Sequence, residues 1–547
     1  MESQRALIAI ALSVAILMIY QYFFVPAPQP VPQTAPVAAT AAKQAAKTPP
    51  ALTPEAAGAP RPLPAQAGRD IPVETALYRA VIAEANGVVK SFRLKRYREE
   101  LDRHSPAKEL VRTTAAEGLP LFFSWGVEPG RADHLLYVAS AAKVTATGTE
   151  AQTLTLTGKL PSGLEIERRY TFKDNDYRIG LSVTVRNTSA VPLQGAPYLT
   201  LSNRPFTAHE AQFLFVGPAA YVDGTLHELK IKDLKKEGGS TSLTGGVRWA
   251  AFEDNYFMTT IVPEAMGQAT AHFSVSDENK VATVLAGAAD TIAPQASREY
   301  KYTLYFGPKE LQLLKTLGND LERAVDFGWF DVIARPTLSL LNFLYRFVGN
   351  YGLAIILVTI VIKLLFWPIS QKGMESMKTL QKIQPKMAKL REKYKDDKVR
   401  QQQEMMKLYQ TYKVNPLGGC LPMLLQIPVF FALYKVLLQS IELRHAPFML
   451  WITDLAAPDR LYLGFDIPWL HGIPVLTLLM GGSMFLQQKM TPTTGDPTQA
   501  KIMLFMPVIF TFMFLNFASG LVLYWLVNNL LTIGQQYLVN QKAVPAE

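Results

Sequence analysis

One positive charge lies inside a long apolar stretch of this sequence. Lys363 falls within residues 351–369, and Thr359 precedes it by four residues, which is one helical turn. A charged side chain at the centre of a bilayer costs about 2.5 to 3.5 kcal/mol on insertion scales, so polar or aqueous surroundings are expected around it. Because Lys363 is only seven residues from Ser370, its side chain extending to the headgroups is an alternative.

Other polar residues occur at similar depth in two further apolar stretches. Gln426 lies nine residues after Leu417. On the last stretch, one helical face carries four residues at three- and four-residue spacing: Trp525, Asn528, Thr532 and Gln535. Polar groups in hydrocarbon face one another or water, so we predict a hydrated groove. A polar cluster that only holds the helices together is the alternative.

The residue inventory does not favour enzymatic chemistry. The single cysteine, Cys420, rules out an internal disulfide framework and a cysteine-rich zinc site. The seven histidines form no H-E-x-x-H pair, and the sequence contains no G-x-S-x-G elbow and no G-x-x-x-x-G-K-[ST] loop. We therefore predict a protein that is not an enzyme, with no catalytic residues, no metal site and no cofactor.

Membrane-spanning helices are needed to position the polar residues. Of 547 residues, 49% are hydrophobic and 18% charged, which excludes a disordered chain. A spanning helix needs about 20 apolar residues; five stretches qualify, and turn residues 516–520 divide the last into two helices, giving six spans. The predicted segments are an N-terminal anchor (1–25), a Pro/Ala-rich tether (26–70), an extracytoplasmic β-sandwich (71–307), amphipathic interfacial helices (308–350), TM2 (351–369), a basic helical hairpin (370–416), TM3 (417–439), an extracytoplasmic loop (440–466), TM4 (467–488), a cytoplasmic loop (489–501), TM5 (502–516) and TM6 with the C-terminal end (517–541).

The charge distribution orients these spans. The loop between the second and third spans, 370–417, carries twelve Lys and Arg against five Asp and Glu, out of a formal net charge of +10. Lys and Arg stay preferentially in the cytoplasm, so this loop, both termini and the mouth of the groove are predicted to be cytoplasmic. Membrane lipids are expected partners of this charge, and no specific nucleic acid sequence is expected to bind it. A cleaved signal peptide is the alternative to the N-terminal anchor.

The extracytoplasmic segments show two different periods. Between about Ile71 and Phe306 apolar residues alternate with polar ones, as at 179–185 and 300–306, which predicts one large antiparallel β-sandwich. The eleven prolines of residues 26–64 predict a semi-stiff tether. After Pro308 the period becomes helical, and aromatic residues predict an interfacial helix on the outer leaflet; a helix packed on the sandwich is the alternative.

Two helical stripes in the basic loop predict an antiparallel hairpin that turns at Asp396 and Asp397. The stripes consist of Met374, Met377, Leu380, Ile383, Met387, Leu390 and Tyr394, and then Val399, Met406, Tyr409 and Tyr412. Lys386, Lys389 and Arg391 belong to its basic exterior. The alternative is that these charges only enforce the membrane topology.

Several motifs closely resemble one family. They are Asn415-Pro416-Leu417-Gly418-Gly419-Cys420-Leu421-Pro422, Gln426-Ile427-Pro428-Val429-Phe430, Glu442-Leu443-Arg444, Gln488-Lys489-Met490-Thr491-Pro492, Phe505-Met506-Pro507 and Ser519-Gly520-Leu521-Val522-Leu523-Tyr524-Trp525. The sequence is similar to the YidC membrane protein insertases of Gram-negative bacteria, in the YidC/Oxa/Alb family. The resemblance is specific in the core, about residues 326–541, and weak in the tether and the sandwich.

The resemblance implies a multi-pass inner-membrane protein with a periplasmic sandwich of galactose-mutarotase-like type. It implies nascent membrane proteins as substrates, the Sec translocon as a partner, and a ribosome or targeting machinery near the cytoplasmic hairpin. The family's cation in the groove, which is most often Arg, corresponds to Lys363 in this sequence. Lysine lacks the forked hydrogen-bonding geometry of guanidinium. The implied groove and slide residues are Thr359, Trp525, Ile427, Phe430 and Met513; relatives commonly have Tyr at the position of Trp525. The end of the chain, 541–547, lacks the basic tail that some relatives use toward ribosomes.

The functional hypothesis is therefore an insertase and chaperone that moves a short polar client segment across the membrane while the client's apolar segment enters lipid. With no nucleotide-binding motif, the driving force is expected to be hydrophobic transfer, about 25 cal/mol per Å². A polar-lined transporter or channel is the alternative, weakened by the lack of an apparent inverted repeat. A membrane-anchored carbohydrate-processing enzyme is a third reading, which leaves the helical core unexplained.

Overall fold

The computed structural model describes residues 68–102, 104–128, 135–206, 215–264, 267–276, 278–412, 421–464, 471–490 and 497–541. The chain divides into two compact units. The larger comprises residues 66–492 and 507–547, and of the smaller, 1–65 with 493–506, only residues 497–506 are described. The predicted anchor, and the tether up to residue 67, lie outside the described residues.

The first half of the described chain is β-rich. Its strands are β1 (Asp70–Glu74), β2 (Tyr78–Ala83), β3 (Val89–Arg98), β4 (Ala107–Glu109), β5 (Phe122–Gly126), β6 (Val138–Ala139), β7 (Val144–Thr145), β8 (Gln152–Lys159), β9 (Leu164–Phe172), β10 (Arg178–Asn187), β11 (Leu193–Asn203), β12 (Gly217–Val222), β13 (Thr225–Glu228), β14 (Ser240–Gly245), β15 (Val247–Glu253), β16 (Phe257–Pro263), β17 (Ala269–Val275), β18 (Val281–Ala286), β19 (Asp290–Ile292) and β20 (Ser297–Pro308).

These strands form three sheets. The largest has the order β13-β12-β15-β16-β20-β10-β9-β8-β6, and the second has β4-β3-β2-β1-β7. The third has β14-β17-β18-β11-β19, with β5 also paired to β11. Within the described ranges the named strands pair antiparallel except for β1 with β7. The prediction of one large antiparallel β-sandwich is therefore confirmed only as far as an antiparallel, β-rich domain, which the structure divides into three sheets.

The alternating pattern of the sequence sets the faces of the central strands. In β10, Ile179, Leu181, Val183 and Val185 are buried, while the side chains between them are at least partly exposed. Leu181 lies opposite Tyr302 of β20, which is also buried. Since successive side chains of a strand point to opposite faces, one hydrophobic face of each strand builds the core.

Nine helices make up most of the remaining described residues. They are α1 (Ile231–Lys236), α2 (Leu311–Leu317), α3 (Asp331–Val348), α4 (Tyr351–Lys393), α5 (Lys398–Thr411), α6 (Leu421–Gln439), α7 (Val475–Met490), α8 (Pro497–Phe514) and α9 (Ser519–Gln541), with 3₁₀ turns at Leu321–Ala324, Gly328–Phe330 and Ile441–Leu443. Among the described residues, α4 is the helix long and apolar enough to cross a membrane, and Gln426–Gln439 and Met503–Phe514 are shorter apolar segments.

Three helices have bounds that differ from those of the predicted segments, and the limits of the membrane spans stay predictions. The second span and the first hairpin arm are one uninterrupted 43-residue helix, α4, rather than two elements that meet at residue 370. Helix α7 starts at Val475 rather than 467 because the Asp459 carboxylate accepts hydrogen bonds from the backbone N–H groups of Leu476 and Thr477 and so caps it. The described part of helix α8 begins at Pro497, inside the predicted loop 489–501.

The helical stripe after Pro308 is not one continuous helix. Helix α2 ends at Leu317, where Gly318 has a φ of 76°, and the chain continues as a 3₁₀ turn. Leu311, Leu314 and Leu321 are nevertheless all buried. The helical period is therefore present after Pro308, but the helix ends at a glycine after seven residues.

Specific contacts hold the β-rich domain on the end of α6. The Asn255 side-chain amide donates to the Leu438 carbonyl (2.6 Å). Arg444, just after α6, donates from Nη2 to the carbonyl of Arg98 (2.7 Å), and its guanidinium lies 5.4 Å from the ring centre of Phe257. The relative position of the sheets and the helices is therefore determined by directional hydrogen bonds as well as by apolar packing.

Candidate functional site

The cation predicted from the sequence lies on the seam between α4 and α9. Lys363 Nζ donates to Thr532 Oγ1 at 2.7 Å, and Thr532 in turn donates to the Asn528 carbonyl at 2.6 Å. Lys363, Thr532 and Asn528 are all half-buried. Among the described residues no Asp or Glu forms an ion pair with Lys363. The ammonium is thus directed toward a neighbouring helix and is bound by a neutral hydroxyl.

Polar contacts continue along this seam toward the hairpin. Ser370 and Gln535 are both buried, and the Gln535 amide nitrogen donates to Ser370 Oγ at 2.8 Å. Lys378 Nζ lies 3.0 Å from each of the carbonyl oxygens of Val539 and Asn540 and donates to both. A cation at the last carbonyls of a helix is electrostatically favourable, so Lys378 stabilises the end of α9.

Thr359 and Gln426 have different surroundings from Lys363. Thr359 is buried, and its hydroxyl donates to the Ile355 carbonyl (2.7 Å) within α4. Gln426 is half-buried, and its side chain lies near the Tyr524 hydroxyl. The structure therefore joins the side chains of Lys363 and Thr532 across two helices, and the backbone carbonyl of Asn528 accepts from Thr532, whereas the hydroxyl of Thr359 is bonded only within its own helix.

Trp525 and Phe430 meet in an aromatic cluster. Their ring centres are 4.8 Å apart with nearly perpendicular planes, and Phe514 lies 5.2 Å from Trp525. Tyr434 contacts Phe430, and Phe510 contacts Trp525. Sequence reasoning missed Phe510, Phe514 and Tyr434, although each lies four residues from another aromatic residue. This cluster places apolar rings at the Trp525 end of the polar face of α9.

The remaining predicted slide residues are exposed. Ile427 is 42% exposed and Met513 is 50% exposed. Large exposed apolar side chains on helices of this composition are suited to contact with lipid or with an apolar client segment. The two residues differ in this respect from Phe430, which is half-buried among aromatic rings.

A second polar contact lies on another face of α9 and was not predicted. The buried Asn529 donates from Nδ2 to Ser483 Oγ of α7 at 3.0 Å, and Gln536 donates to the Met490 carbonyl at 2.7 Å. Asn529 directly follows Asn528, so it projects about 100° away around the helix. The contact joins α9 to α7, in the manner of the structural staple that stood as the alternative for the groove residues.

A cavity of about 620 Å³ opens next to this seam. Its walls are Trp367, Gln371 and Glu375 of α4, and Leu538 and Gln541 of α9. Trp367 is one helical turn beyond Lys363 in the direction of the hairpin. Among the described residues there is no group of His, Cys, Asp or Glu that could hold a metal ion.

The hairpin arms pack through a small core of their own. Leu380, Ile383 and Met387 of α4 are buried against Met405, Leu408 and Tyr409 of α5. The second predicted stripe was partly wrong, because Val399 is 70% and Met406 52% exposed. The inner face of α5 is shifted by one residue in places, since its position is set by packing against α4 rather than by its own pattern.

The predicted basic residues of the hairpin are on its surface. Lys386, Lys389 and Arg391 are exposed, as is Asp396. Asp397 caps α5, with its carboxylate accepting from the Arg400 backbone N–H (3.0 Å). Lys386 hydrogen-bonds with the Tyr412 hydroxyl and lies 4.7 Å from the ring centre. One cation is therefore partly engaged between the arms, and the others face solvent.

Comparisons with known proteins identify the family. The family model described as 60Kd inner membrane protein matches residues 343–546, and the one described as YidC periplasmic domain matches residues 70–340. The chain belongs to the YidC family. A relative from Syntrophus aciditrophicus is 43% identical and covers 99% of this chain and 100% of its own. One from Pelobacter propionicus is 43% identical and covers 98% and 99%. Both are named Membrane protein insertase YidC.

Two solved structures resemble the chain at low sequence identity. A crystal structure of an active YidC insertase with its first transmembrane domain resolved is 18% identical, with a TM-score of 0.36 and coverage of 86% of this chain and 95% of its own. A galactose mutarotase-like protein from Lactobacillus casei is 15% identical, with a TM-score of 0.33 and coverage of 43% and 99%.

The family membership confirms the resemblance found in the sequence. It makes the chain an inner-membrane protein with a β-rich periplasmic domain followed by a helical part. The curated relatives are insertases rather than enzymes, as predicted, and a transporter or channel is not favoured.

Proposed function

We propose that this protein inserts newly made inner-membrane proteins and helps them fold, by receiving a polar client segment at the seam of α4 and α9. The observation that carries the proposal is the contact of Lys363 with Thr532, 2.7 Å apart, within a helix apolar enough to cross a membrane. A positive charge held by a neutral hydroxyl inside such a helix remains available to an anionic group.

Each predicted site residue has a role in this proposal. Lys363 attracts acidic groups of the client, and Thr532, Asn528 and Gln426 replace part of the hydration that the client loses. Thr359 and Trp525 border the groove, and the aromatic cluster closes it toward the periplasm. Ile427, Phe430 and Met513 form the slide along which the apolar client segment passes into lipid, driven by about 25 cal/mol per Å² of apolar surface.

The proposal includes the six-span topology and the partners of the protein. Both termini and the hairpin lie in the cytoplasm, as the twelve basic residues of the hairpin loop support. The exposed Lys389, Arg391 and Asp396 then face a ribosome or targeting machinery. Insertion proceeds with the protein alone or together with the Sec translocon, and membrane lipids surround the helices.

Insertion of matched clients into reconstituted vesicles tests the role of Lys363. One client has an acidic tail and the other a neutral tail before the same apolar segment. Lys363→Glu is expected to lower insertion of the acidic client at least about tenfold, because a charge pair at 4 Å contributes about 4 kcal/mol at an effective dielectric constant of 20 and the loss of only about 1.4 kcal/mol of this is a factor of ten. Lys489→Glu, at an exposed position at the end of α7, is the matched control. Equal loss for both clients would contradict the electrostatic role.

Photocrosslinking tests the path of the client. A photoreactive residue at Phe430 or Met513 is expected to crosslink to a stalled nascent chain, whereas one at Leu479, exposed on α7, is not. Equal crosslinking from all three positions would refute a defined slide. Solute flux through vesicles without any client would instead support the transporter alternative.

A further inference from the structure

The cavity beside the α4–α9 seam continues the face that carries Lys363. Residues 363, 367, 371 and 375 follow one another at four-residue intervals, so each lies beside the next in a row that turns by about 40° per step around α4. Trp367, Gln371 and Glu375 form one wall of the 620 Å³ cavity, and Leu538 and Gln541 form the other. This volume lies within the range of ligand sites of about 300 to 1,000 Å³, and it accommodates several residues of a peptide.

The chemistry of the wall suits a cationic group. The face of a tryptophan ring attracts an ammonium or guanidinium, and arginine also stacks on it. Glu375 supplies a carboxylate at the outer end of the wall, where its side chain is exposed. The Gln371 amide donates to Glu375 Oε1 at 2.8 Å and so orients the carboxylate. A carboxylate has about four acceptor positions, so this one donor leaves room for a further one.

Among the described residues, the positive charges near this wall on α4 are directed elsewhere. Lys378 is one turn beyond Glu375, but its ammonium is bound to the carbonyls of Val539 and Asn540 at the end of α9. Lys372 is exposed and follows Gln371 by one residue, so it projects away from the face of the cavity. Glu375 is therefore an anionic point on the cavity wall within a hairpin arm whose surface is otherwise mostly basic.

The two charges of the seam differ in sign and in depth. Lys363 and Glu375 are twelve residues apart, which is about 18 Å along a helix. On the proposed function, on which this inference rests, an acidic or neutral client tail goes inward to Lys363. The client's Lys and Arg residues stay at the cytoplasmic end of its apolar segment.

We propose that the cavity formed by Trp367, Gln371, Glu375, Leu538 and Gln541 binds the Lys or Arg side chains that flank the cytoplasmic end of a client's apolar segment. Glu375 thereby determines specificity, because it holds basic flanks at the mouth of the groove and favours clients with the positive-inside orientation. The ligand is the basic flank of a peptide.

The test compares two clients that share one apolar segment and one neutral tail and differ only in the cytoplasmic flank, which is either Lys-Lys-Arg or Gln-Gln-Gln. The full-length protein is reconstituted in vesicles as wild type, Glu375→Gln, Glu375→Asp and Glu392→Gln. Glu392 is an exposed carboxylate further along α4, so its variant removes the same charge outside the cavity. A photoreactive residue at Leu538 reports contact with the flank.

Glu375→Gln is expected to lower insertion of the basic-flank client about two- to fivefold, the range for one exposed ion pair, and to leave the Gln-flank client unchanged. Crosslinking from Leu538 to the basic flank falls in parallel. Glu375→Asp retains most of the preference for the basic flank, and Glu392→Gln behaves as wild type.

Three outcomes would overturn the inference. One is equal loss of both clients with Glu375→Gln, and another is an effect of Glu392→Gln as large as that of Glu375→Gln. The third is an effect that depends on phosphatidylethanolamine in the vesicles rather than on the flank, which would assign the cavity to a lipid ammonium group. If the wild-type protein inserts neither client above the level of empty vesicles, the proposed function itself is wrong. This result differs from all three outcomes that overturn only the inference about the cavity.

Discussion

The buried ion pair between Glu253 and Lys309 gives a prediction that can be worked out in detail. Glu253 ends β15 and is fully buried, and Lys309 follows β20 and is nearly so; their side chains approach to 3.1 Å. Neither carboxylate oxygen of Glu253 has a partner with hydrogen-bond geometry. The perturbation is Lys309→Met, which keeps the length of the side chain and removes the charge.

The free energy of unfolding lost on this substitution is large because both charged side chains are buried. At 3.1 Å two unit charges attract by about 5 kcal/mol at an effective dielectric constant of 20. Removing one partner of a buried pair typically destabilises a protein by about 3 to 5 kcal/mol, since the remaining charge is left unpaired. We expect a loss of this size at pH 8. Glu253→Gln together with Lys309→Met should recover most of it, because no buried charge then remains.

The loss should depend on pH in a defined direction. Burial raises the pKa of Glu253 from its ordinary value of 4.5 to about 7, although the charge of Lys309 opposes this shift. A carboxyl group with a raised pKa in the folded state contributes stability at low pH, and that contribution is lost as the pH rises from about 4.5 toward 7. At pH 6 Glu253 is mostly protonated, so Lys309→Met should cost less there than at pH 8.

The loss of stability is measured at both pH values by unfolding the full-length protein in detergent with added denaturant. Hydrogen exchange of β15 and β16 is the readout. Lys301→Met is the matched control, because Lys301 forms an exposed pair with Glu299 on the surface of β20 and should change stability by less than about 1 kcal/mol. A loss for Lys309→Met that is the same at pH 6 and pH 8, or no larger than that of the control, would refute the reasoning.

Three further predictions concern the helical part and its junction. Gly352→Ala should destabilise the protein by about 1 to 3 kcal/mol in thermal unfolding, because a Cβ there would overlap the ring of Phe448, whereas Gly482→Ala, where a Cβ meets open space, should not. Asp459→Ala should cost about 1 to 2 kcal/mol and raise hydrogen exchange at Leu476 and Thr477, since its carboxylate caps α7; unchanged exchange there would argue against the cap. Arg444→Met should increase protease cleavage and exchange around 254–257 without altering the hairpin, because the Arg444 guanidinium lies over the rings of Tyr256 and Phe257; equal changes in both regions would indicate general unfolding instead.

The candidate site was only partly accessible from sequence patterns. Lys363 and the face of α9 that carries Asn528 and Thr532 could be found because a polar residue in an apolar helix is conspicuous and helical spacing shows which residues share a face. The pairing of Lys363 with Thr532 spans 169 residues of chain. No local sequence pattern relates residues so far apart in the chain. The hydrogen-bond partner of Lys363 could therefore be found only from the packing of α4 on α9.

The sequence by itself determined the local features of this protein: the alternating strands such as β10, the apolar helices, the turn at Asp397 and the family motifs. Each depends on residues within a few positions of one another, where the geometry of a strand or helix decides which side chains share a face. Only the tertiary structure decided that Asn255 bonds to Leu438, that Asn529 joins α9 to α7, and that Glu375 faces a cavity beside α9. These contacts depend on how whole elements approach one another, and that is settled by the summed packing of many side chains distant in sequence.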